Sequence, residues 1–351
     1  MNTPASFRIV ISILSRCTRY AFIGVALGLM RRGWCVIRVA ESILDAVGNT
    51  PLVHLKRLSP EGINIYVKVE FYSPGLSIKD RVAIRMIEEA ERAGIIKPGD
   101  TVIERTSGNM GTGLAVACAV KGYRFVAVMS EGNSVERRRM LSALGAEVVL
   151  VPQAEGGRPG YVSAEDLALV EEKTRELEKK LGAYRPDQFA NPLNAEAHEH
   201  TTGEEIWEQL EGQVHAFVAY VGSGGTFTGV ARALRRHNPK VRCYPVEPEK
   251  ARFLAGKPVE STRHRIQGGG YAFRPPFWDD SLVDGYLAVS DEEAIAAARE
   301  LARREGIFAG FSAGANIAAA LKLKGKLEEG ANVVTIIPDS GMKYLSTELF
   351  S

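Results

Sequence analysis

Short runs of β-forming residues alternate with longer amphipathic runs from about residue 40 to the end of the chain. Strands that alternate with helices of this length predict parallel sheets joined by right-handed crossovers. The predicted strands are Ile63–Val69, Thr101–Glu104, Phe125–Met129, Glu147–Val151, Ala216–Val221, Val241–Val246 and Val333–Ile337. The predicted helices are Val82–Ala93, Gly111–Lys121, Val135–Leu144, Ala164–Leu181, Ala195–Leu210, Phe227–His237, Asp291–Glu305 and Ala313–Leu323. The pattern therefore indicates an α/β fold.

The composition of the chain indicates its size class and argues against several kinds of binding partner. The chain has 351 residues, 45% of them hydrophobic, and a formal net charge of +2, which fits two domains or one large α/β unit. No basic stripe with interleaved aromatic residues occurs, so we expect no nucleic acid among the partners. The four cysteines are widely spaced and form no CxxC motif, which argues against a disulfide framework or a zinc site, and no metal is predicted.

The first forty residues differ from the rest of the chain. They contain six arginines and no acidic residue before Glu41, which is the composition of an organellar transit peptide. The apolar run Tyr20–Met30 is too short to span a bilayer, so no membrane association is predicted. We interpret residues 1–39 as a leader or extension, with an upstream start before Met30, organellar targeting or a helix packed on the body as alternatives. The expected location is the cytoplasm.

Lys79 lies where a predicted strand gives way to a helix, after the loop Ser73-Pro74-Gly75-Leu76. At the carboxyl edge of an α/β sheet, a lysine can form a Schiff base with an aldehyde cofactor when burial favours its neutral form. A solvated lysine at a helix start is the alternative, although a cation is poorly placed at a helix N-terminus. The neighbouring Asp80 and Arg81 are interpreted as structural.

A glycine-rich turn, Gly222-Ser223-Gly224-Gly225-Thr226-Phe227-Thr228-Gly229, follows one predicted strand and precedes a helix. Its glycines let the backbone approach an anion, its hydroxyls add donors, and the helix dipole favours negative charge. The turn matches neither a P-loop nor, convincingly, a dinucleotide fingerprint. Alone it also fits a plain tight turn, but with Lys79 it predicts a site for an aldehyde cofactor that bears a phosphate.

Two further polar turns follow predicted strands. The first, Thr106-Ser107-Gly108-Asn109, precedes a helix, so its side chains can cap that helix, bind a substrate carboxylate, or do both. The second, Pro338-Asp339-Ser340-Gly341, carries a hydroxyl that can bond to a ring nitrogen, although alone it is only a turn. The lysine, the amide-rich turn and the glycine turn together predict pyridoxal-phosphate chemistry.

At these residues the chain resembles the cysteine synthase / cystathionine β-synthase family of fold-type II pyridoxal-phosphate enzymes, from about Ala40 to Ser351. The resemblance is carried by Val47-Gly48-Asn49-Thr50-Pro51-Leu52, Ser77-Ile78-Lys79-Asp80-Arg81, Thr106-Ser107-Gly108-Asn109, Gln188-Phe189-Ala190-Asn191-Pro192 with Thr201-Thr202-Gly203-Glu204-Glu205-Ile206-Trp207, and Gly222–Gly229. Each motif alone is modest, but their order along nearly the whole chain makes coincidence negligible.

The resemblance implies a tryptophan synthase β-like fold of two α/β domains, each centred on a parallel sheet, with the active site in the cleft between them. The larger domain, which binds the cofactor phosphate, is expected to comprise residues 40–80 and 186–351. The smaller, mobile domain is expected to comprise residues 81–185 and to carry the substrate loop. A homodimer is implied as well.

The resemblance also implies the cofactor, pyridoxal 5′-phosphate, and the role of each site residue. Lys79 would hold the cofactor aldehyde and remove the substrate α-proton, Asn109 would bond to the cofactor 3-hydroxyl oxygen, and Ser340 would face the pyridine nitrogen. The cofactor phosphate would rest on Gly222, Ser223, Gly224, Gly225 and Thr226. The substrate carboxylate would be bound by Thr106, Ser107, Gly108, Asn109, Met110 and Gln188.

The implied reaction is β-replacement on an O-activated L-serine. The simplest form is the transferase cysteine synthase, whose partners are O-acetylserine and sulfide and whose products are L-cysteine and acetate. The alternatives are cystathionine β-synthase, a lyase that uses serine and homocysteine, and a related enzyme that uses O-phosphoserine or another nucleophile. A regulatory binding protein without activity is the non-enzymatic alternative.

Three features depart from the family pattern. Met110 stands where the family usually has threonine, and Leu76 replaces a small residue in the loop before Lys79. The loop Gln267-Gly268-Gly269-Gly270-Tyr271 carries an unusual tyrosine and has three arginines nearby, Arg263, Arg265 and Arg274. An arginine in this loop can favour a phosphorylated donor through paired hydrogen bonds, or it can simply face solvent.

Overall fold

The structure is a computed structural model and describes residues 39–106, 108–157 and 162–351. Residues Ser42–Ser351 group into one compact unit. The predictions made for residues 1–38, including the targeting signal, and for Ser107 lie outside the described residues.

A six-stranded sheet in the order β1-β2-β9-β6-β7-β8 forms the centre of the fold. Its strands are β1 (Leu52–His54), β2 (Ile63–Val69), β6 (Ala216–Tyr220), β7 (Arg242–Pro248), β8 (Leu287–Val289) and β9 (Ala331–Ile337). All neighbouring pairs are parallel except β1 and β2, so the sheet is mixed at one edge. The sequence pattern missed β1 and β8 because three residues are too few to reveal a strand period.

A second sheet has three parallel strands in the order β3-β4-β5. They are β3 (Thr101–Arg105), β4 (Arg124–Ser130) and β5 (Glu147–Val151). The strands of this sheet fall within residues 81–185, and those of the larger sheet fall within 40–80 and 186–351. The division of the chain into two domains at these boundaries stays a prediction.

Nine α-helices connect and cover the strands within the described part of the chain. They are α1 (Lys79–Arg92), α2 (Asn109–Lys121), α3 (Val135–Ala143), α4 (Ala164–Leu181), α5 (Leu193–Ala197), α6 (Gly203–Gln209), α7 (Gly225–His237), α8 (Asp291–Glu305) and α9 (Phe311–Leu321). The predicted single helix Ala195–Leu210 is instead interrupted by a π-helical turn at His198–Thr202. Such turns insert an extra residue and are frequent at functional sites.

The central strand β9 explains why the larger sheet is covered on both faces. All seven of its residues are buried. Val333 and Ile337 pack in a core with α8 and α9, whereas Val334 and Ile336 pack on the opposite face with α7. Successive side chains of a strand point to opposite faces, so a doubly covered strand is mostly apolar. The exceptions in β9, Asn332 and Thr335, donate to the backbone carbonyls of Gln213 and Val218. Each buried valine or isoleucine side chain contributes about 1.5–3 kcal/mol through burial.

The smaller sheet is covered by helices whose apolar faces follow from the sequence. In α1 the buried positions Val82, Ala83, Met86, Ile87 and Ala90 recur at helical spacing and pack in one core with α2. Gly122 ends α2 with a left-handed φ of +76°, which glycine adopts without steric cost.

A buried ionic cluster joins the N-terminal part of the larger sheet to α1 and α6. The Arg81 guanidinium bonds to the Glu70 carboxylate at 2.8 Å and to the Glu205 carboxylate at 2.6 Å. Lys68 Nζ bonds to the same Glu205 at 2.6 Å and donates to Thr50 O at 2.7 Å. Glu70 also accepts from the Thr50 hydroxyl at 2.6 Å. Arg81 therefore has the structural role that the sequence predicted for it.

Two kinds of feature are missing from the part of the chain that the structure describes. None of its helices is long and apolar enough to cross a membrane. Its histidines, cysteines and acidic residues form no group of three that could hold a metal ion.

We predict that Arg81→Leu lowers the free energy of unfolding by about 3–5 kcal/mol, because it leaves the Glu70 charge buried without its partner. The measurement is urea unfolding of the cofactor-free protein followed by circular dichroism. Arg124→Ala is the control: its ion pair with Glu147 is half exposed, so the change should stay within about 0.5 kcal/mol. Equal effects of the two substitutions would contradict the prediction.

Candidate active site

The loops that follow β2, β6 and β9 meet at one edge of the larger sheet, because these strands are parallel neighbours. A cavity of about 580 Å³, including its open mouth, lies at this edge. It is lined by Ile78, Lys79, Asn109, Ala219, Tyr220, Gly222, Ser223, Gly224, Thr226, Phe227, Gly268, Ser312, Asn316, Ile336 and Pro338. Lys79 is the only charged side chain among these lining residues.

Lys79 is the first residue of α1, and its side chain points at the glycine-rich turn. Its Nζ donates a hydrogen bond to Ser223 Oγ at 3.0 Å. Burial lowers the pKa of Lys79 to about 8, and the negative field of Glu104 opposes part of that shift. About a tenth of the amine is then neutral at pH 7, compared with well under about 0.1% for an ordinary lysine. Lys79 is therefore suited to react as a nucleophile or a base.

The loop before Lys79 is tightly constrained. Gly75 N–H donates to the Asp80 carboxylate, and a β-carbon on Gly75 would lie 2.4 Å from Asp80 Oδ1. Ile78 N–H donates to Pro338 O at 2.9 Å, which ties the loop to the end of β9. Leu76 has a φ of +57°, a left-handed conformation that costs a non-glycine residue about 1–3 kcal/mol. Asp80 therefore has a structural role, as predicted, because it fixes Gly75.

The glycine-rich turn brings the backbone close to its neighbours on two sides. A β-carbon on Gly222 would lie 2.3 Å from Gly268 O, and one on Gly225 would lie 2.1 Å from Asn194 Oδ1. Gly224 has a left-handed φ of +86° and precedes the first residue of α7. Only glycine fits these positions, and the N-terminal N–H groups of α7 are free to face an anion. The geometry agrees with the anion-binding turn that the sequence predicted.

Two residues that the sequence analysis missed support this turn. Asn194 is fully buried, and its Nδ2 donates to Ser223 Oγ at 2.8 Å and to Gln188 O at 2.7 Å. His198, in the π-helical turn, lies 3.3 Å from Thr226 Oγ1 through its Nε2. Burial holds the pKa of His198 well below its usual range, so the ring is neutral. Both residues follow the Asn191-Pro192 motif closely, which was the available signal.

The predicted substrate loop reaches the cavity through only one of its described residues, Asn109. The Thr106 hydroxyl accepts from Gly108 N–H at 3.0 Å and from Gly111 N–H at 2.8 Å, so it caps the start of α2. Met110 is 2% exposed and packs in the core of α1 and α2. Gln188 Nε2 donates to Arg105 O at 3.2 Å. Apart from Asn109, these side chains are engaged in structural contacts and do not line the cavity.

A second serine lines the cavity beside Ser223, and the sequence analysis missed it: Ser312, in the first turn of α9. The Ser340 hydroxyl accepts from Met342 N–H at 3.2 Å and caps a short 3-10 helix. Its own O–H donor is not used by that bond, so its contact with a ring nitrogen stays a prediction. The signal that was overlooked is the run Gly310-Phe311-Ser312-Ala313-Gly314, whose small residues let a helix start approach the site.

The three arginines around the loop 267–271 have protein partners outside the cavity. Arg265 bonds to the Asp291 and Glu292 carboxylates, and Arg274 bonds to Asp280. Arg263 donates to Glu155 O at 3.2 Å. None of them is among the described residues of the cavity wall. These arginines therefore give no support to a phosphorylated substrate, and O-phosphoserine stays an untested alternative.

The donor set fits a phosphate-bearing aldehyde. A nucleophilic amine, a glycine turn at a helix N-terminus, an amide and a hydroxyl converge on one cavity. The close approach of Gly222 and Gly225 to Gly268 and Asn194 keeps the turn rigid, as a phosphate site requires.

Comparison with known proteins gives a consistent family. The sequence pattern of the family described as "Pyridoxal-phosphate dependent enzyme" matches residues 43–339. A cysteine synthase of Staphylococcus aureus (strain N315) is 42% identical over 313 residues, which cover 89% of this chain and 97% of that protein.

Solved structures agree in fold. The crystal structure of an O-ureido-L-serine synthase has a TM-score of 0.80 and 42% identity, and the match covers 89% of this chain and 96% of that one. The O-acetylserine-dependent cystathionine β-synthase of Helicobacter pylori has a TM-score of 0.82 and 36% identity, with 90% and 100% of the two chains covered. The fold-type II architecture is therefore confirmed.

We predict that the cofactor-free protein captures pyridoxal phosphate faster as pH rises and that the rate levels off above about pH 8. The neutral amine is the reactive form, and burial lowers the pKa of Lys79 to about 8, so half of the amine is neutral at that pH and the neutral fraction levels off above it. The measurement is the growth of visible absorbance after mixing at pH 6.5 to 10, with Lys79→Ala as the control. A rate that keeps climbing through pH 10 would show an ordinary lysine pKa.

Proposed function

We propose that this chain, which belongs to the pyridoxal-phosphate-dependent enzyme family and is a relative of cysteine synthases, catalyses β-replacement on an O-activated L-serine. The favoured pair of substrates is O-acetyl-L-serine and sulfide, which give L-cysteine and acetate. The observation that carries this proposal is the position of Lys79 Nζ, 3.0 Å from Ser223 Oγ in the glycine turn, inside one cavity.

We assign the cofactor contacts from the geometry of the cavity wall. The N–H groups and hydroxyls of Gly222, Ser223, Gly224, Gly225 and Thr226 would hold the phosphate. Lys79 would hold the aldehyde carbon, and Asn109 would donate to the ring hydroxyl. We place Ser312 at the ring nitrogen in place of Ser340, because Ser312 lines the cavity. His198 and Asn194 would support the phosphate site through Thr226 and Ser223.

Bound pyridoxal phosphate supplies an aldehyde that captures amines and a ring that withdraws electrons from the substrate Cα–H bond. Once the substrate amine has displaced it from the aldehyde, Lys79 Nζ would remove the α-proton, because its lowered pKa makes the free amine available near neutral pH. A neutral hydroxyl, such as that of Ser312, leaves a ring nitrogen largely unprotonated, which favours loss of the β-substituent over a long-lived carbanion. We expect ping-pong kinetics, because the β-substituent of the first substrate would leave before the nucleophile binds.

The substrate carboxylate would be held at the start of α2. Thr106 shapes this turn by accepting two backbone N–H groups, and the N-terminal N–H groups of α2 face away from the helix toward an anion. We propose that Ser107 and Asn109 provide the contacts, with Met110 contributing its backbone alone; Gly108, whose N–H is bonded to Thr106, only shapes the turn. The Met110 side chain packs in the core, so its departure from the family's threonine does not block the site.

A second acceptor is the main alternative. The Helicobacter pylori relative is described as an O-acetylserine-dependent cystathionine β-synthase, so a thiol amino acid in place of sulfide is compatible with the same fold. The nature of the nucleophile, the transferase class, a homodimer and a cytoplasmic location remain proposals for this chain.

The experiment that tests the function crosses O-acetylserine, O-phosphoserine and serine with sulfide, thiosulfate and homocysteine. We expect turnover with O-acetylserine and sulfide, and a shift of the cofactor's visible band when the donor is added alone. Lys79→Ala should lose turnover and the wild-type visible band. A colourless wild-type protein, or normal turnover by Lys79→Ala, would refute the proposal.

We predict that Ser312→Ala changes the absorbance of the bound cofactor and lowers kcat by about tenfold, the cost of one hydrogen bond of about 1.4 kcal/mol. Ser340→Ala should keep kcat within about threefold, because its hydroxyl caps a 3-10 helix. Both variants lose one hydroxyl, so they are matched. The reverse ranking of the two would restore Ser340 to the ring nitrogen.

A further inference from the structure

Lys343 is a fully buried lysine that the proposed reaction leaves without a role. It lies in the short 3-10 helix Gly341–Tyr344, which follows β9. Burial lowers the pKa of Lys343 to about 8, against the opposing fields of Asp339 and Asp80, so the side chain is mostly an ammonium at neutral pH. A buried ammonium needs acceptors around it, and those acceptors show what it organises.

Two acceptors face the Lys343 ammonium, and they belong to different segments of the chain. Its Nζ donates to Gly75 O at 2.8 Å, in the loop before Lys79. It also donates to Asn109 Oδ1 at 2.9 Å, at the first residue of α2. One side chain therefore connects the loop that places Lys79 to Asn109, which lines the same cavity as Lys79.

The Lys343 contact determines which way the Asn109 amide faces. Its oxygen accepts from Lys343, and its Nδ2 donates to Asp339 Oδ2 at 2.8 Å. Asp339 is held in turn by the Tyr344 hydroxyl at 2.6 Å. A flipped amide would place its NH₂ group against the ammonium and its oxygen against the carboxylate, losing both bonds. An amide nitrogen has two N–H donors, so one remains for the cavity that Asn109 lines.

Lys343 also completes the restraint on the lysine loop. Gly75 N–H is bonded to Asp80, and Gly75 O is bonded to Lys343, so both sides of this residue are fixed. The next residue is Leu76, whose left-handed backbone would relax if the loop were released.

We propose that Lys343 is a positioning residue of the reaction, which fixes the Asn109 amide and the lysine loop so that Asn109 and Lys79 face the same ligand. This inference rests on the proposed function and deepens it. A lysine that only stabilised the fold would change stability without acting through Asn109.

The test is a double-mutant cycle on the full-length protein saturated with pyridoxal phosphate. Lys343→Met, Asn109→Ala and the double variant are compared with the wild type, and kcat and KM for O-acetyl-L-serine are measured. Lys343→Met should lower kcat by about tenfold to a hundredfold, the range for hydrogen bonds to a charged group, with KM within about threefold. In the Asn109→Ala background the same change should cost less than in the wild type, because only the restraint on Gly75 is then lost.

Two further readouts separate positioning from stability. The dissociation constant of pyridoxal phosphate and the visible spectrum should change in Lys343→Met and stay as in the wild type in Lys68→Met. Lys68 is the control for burial, because it is equally buried and donates to a backbone carbonyl and a side-chain amide oxygen outside the cavity; it also pairs with Glu205, so its loss should cost at least as much stability. The unfolding midpoint should fall in both variants. If Lys343→Met does not fold, Lys343→Gln replaces it. Because glutamine keeps a hydrogen-bond donor, we expect its kcat to lie below that of the wild type by less than the loss predicted for Lys343→Met.

The outcomes are distinct. Equal losses of kcat in the wild-type and Asn109→Ala backgrounds, or equal spectral changes in Lys343→Met and Lys68→Met, would overturn the positioning role while the proposed function stands. A wild-type protein that forms no visible cofactor band would refute the proposed function and this role with it.

Discussion

The hydrogen bonds that β9 makes to β2 on one side and to β6 on the other determine where the chemistry of this chain can occur. Because all three strands are parallel, the loops at their carboxyl ends are neighbours, although Lys79 and Ser223 are far apart in sequence. The seven buried residues of β9, five of them apolar, hold this arrangement between two helical layers. The reactive amine and the anion turn are thus brought together by the sheet, before any ligand binds.

Much of this arrangement could be predicted from the sequence, since apolar runs of strand length and helices between them indicate a covered parallel sheet. Lys79 and the turn at Gly222 were predicted from their combination, because each of them alone also fits a purely structural role. Ser340 and Thr106 were harder, because a hydroxyl after a strand serves equally well as a helix cap or as a ligand contact. The hydroxyls of Thr106 and Ser340 accept from backbone N–H groups, which shows the cap but leaves each O–H free to serve a ligand as well.

Residues missed by the sequence analysis share a physical reason. The side chains of Asn194 and His198 contact a turn that is distant in sequence, and Ser312 lines a cavity built from several distant segments, so the local motifs beside them did not reveal their roles. The π-helical turn that directs His198 toward Thr226 depends on packing between helices, which no single-chain periodicity reveals. In the same way, the two buried lysines outside the cavity wall, Lys68 and Lys343, look like ordinary surface residues until their acceptors are seen.

The left-handed backbone of Leu76 has a consequence for how related sequences drift apart. The hydrogen bonds of Gly75 to Asp80 and Lys343 restrain the loop that holds Leu76 in this conformation. Glycine at position 76 would adopt the same φ without strain and would depend less on that restraint. Positions 76 and 343 should therefore covary among descendants of this chain. A lineage that first acquires glycine at position 76 can lose Lys343 later at little cost. A lineage that loses Lys343 first would pass through a protein in which Leu76 is strained and its loop is less restrained.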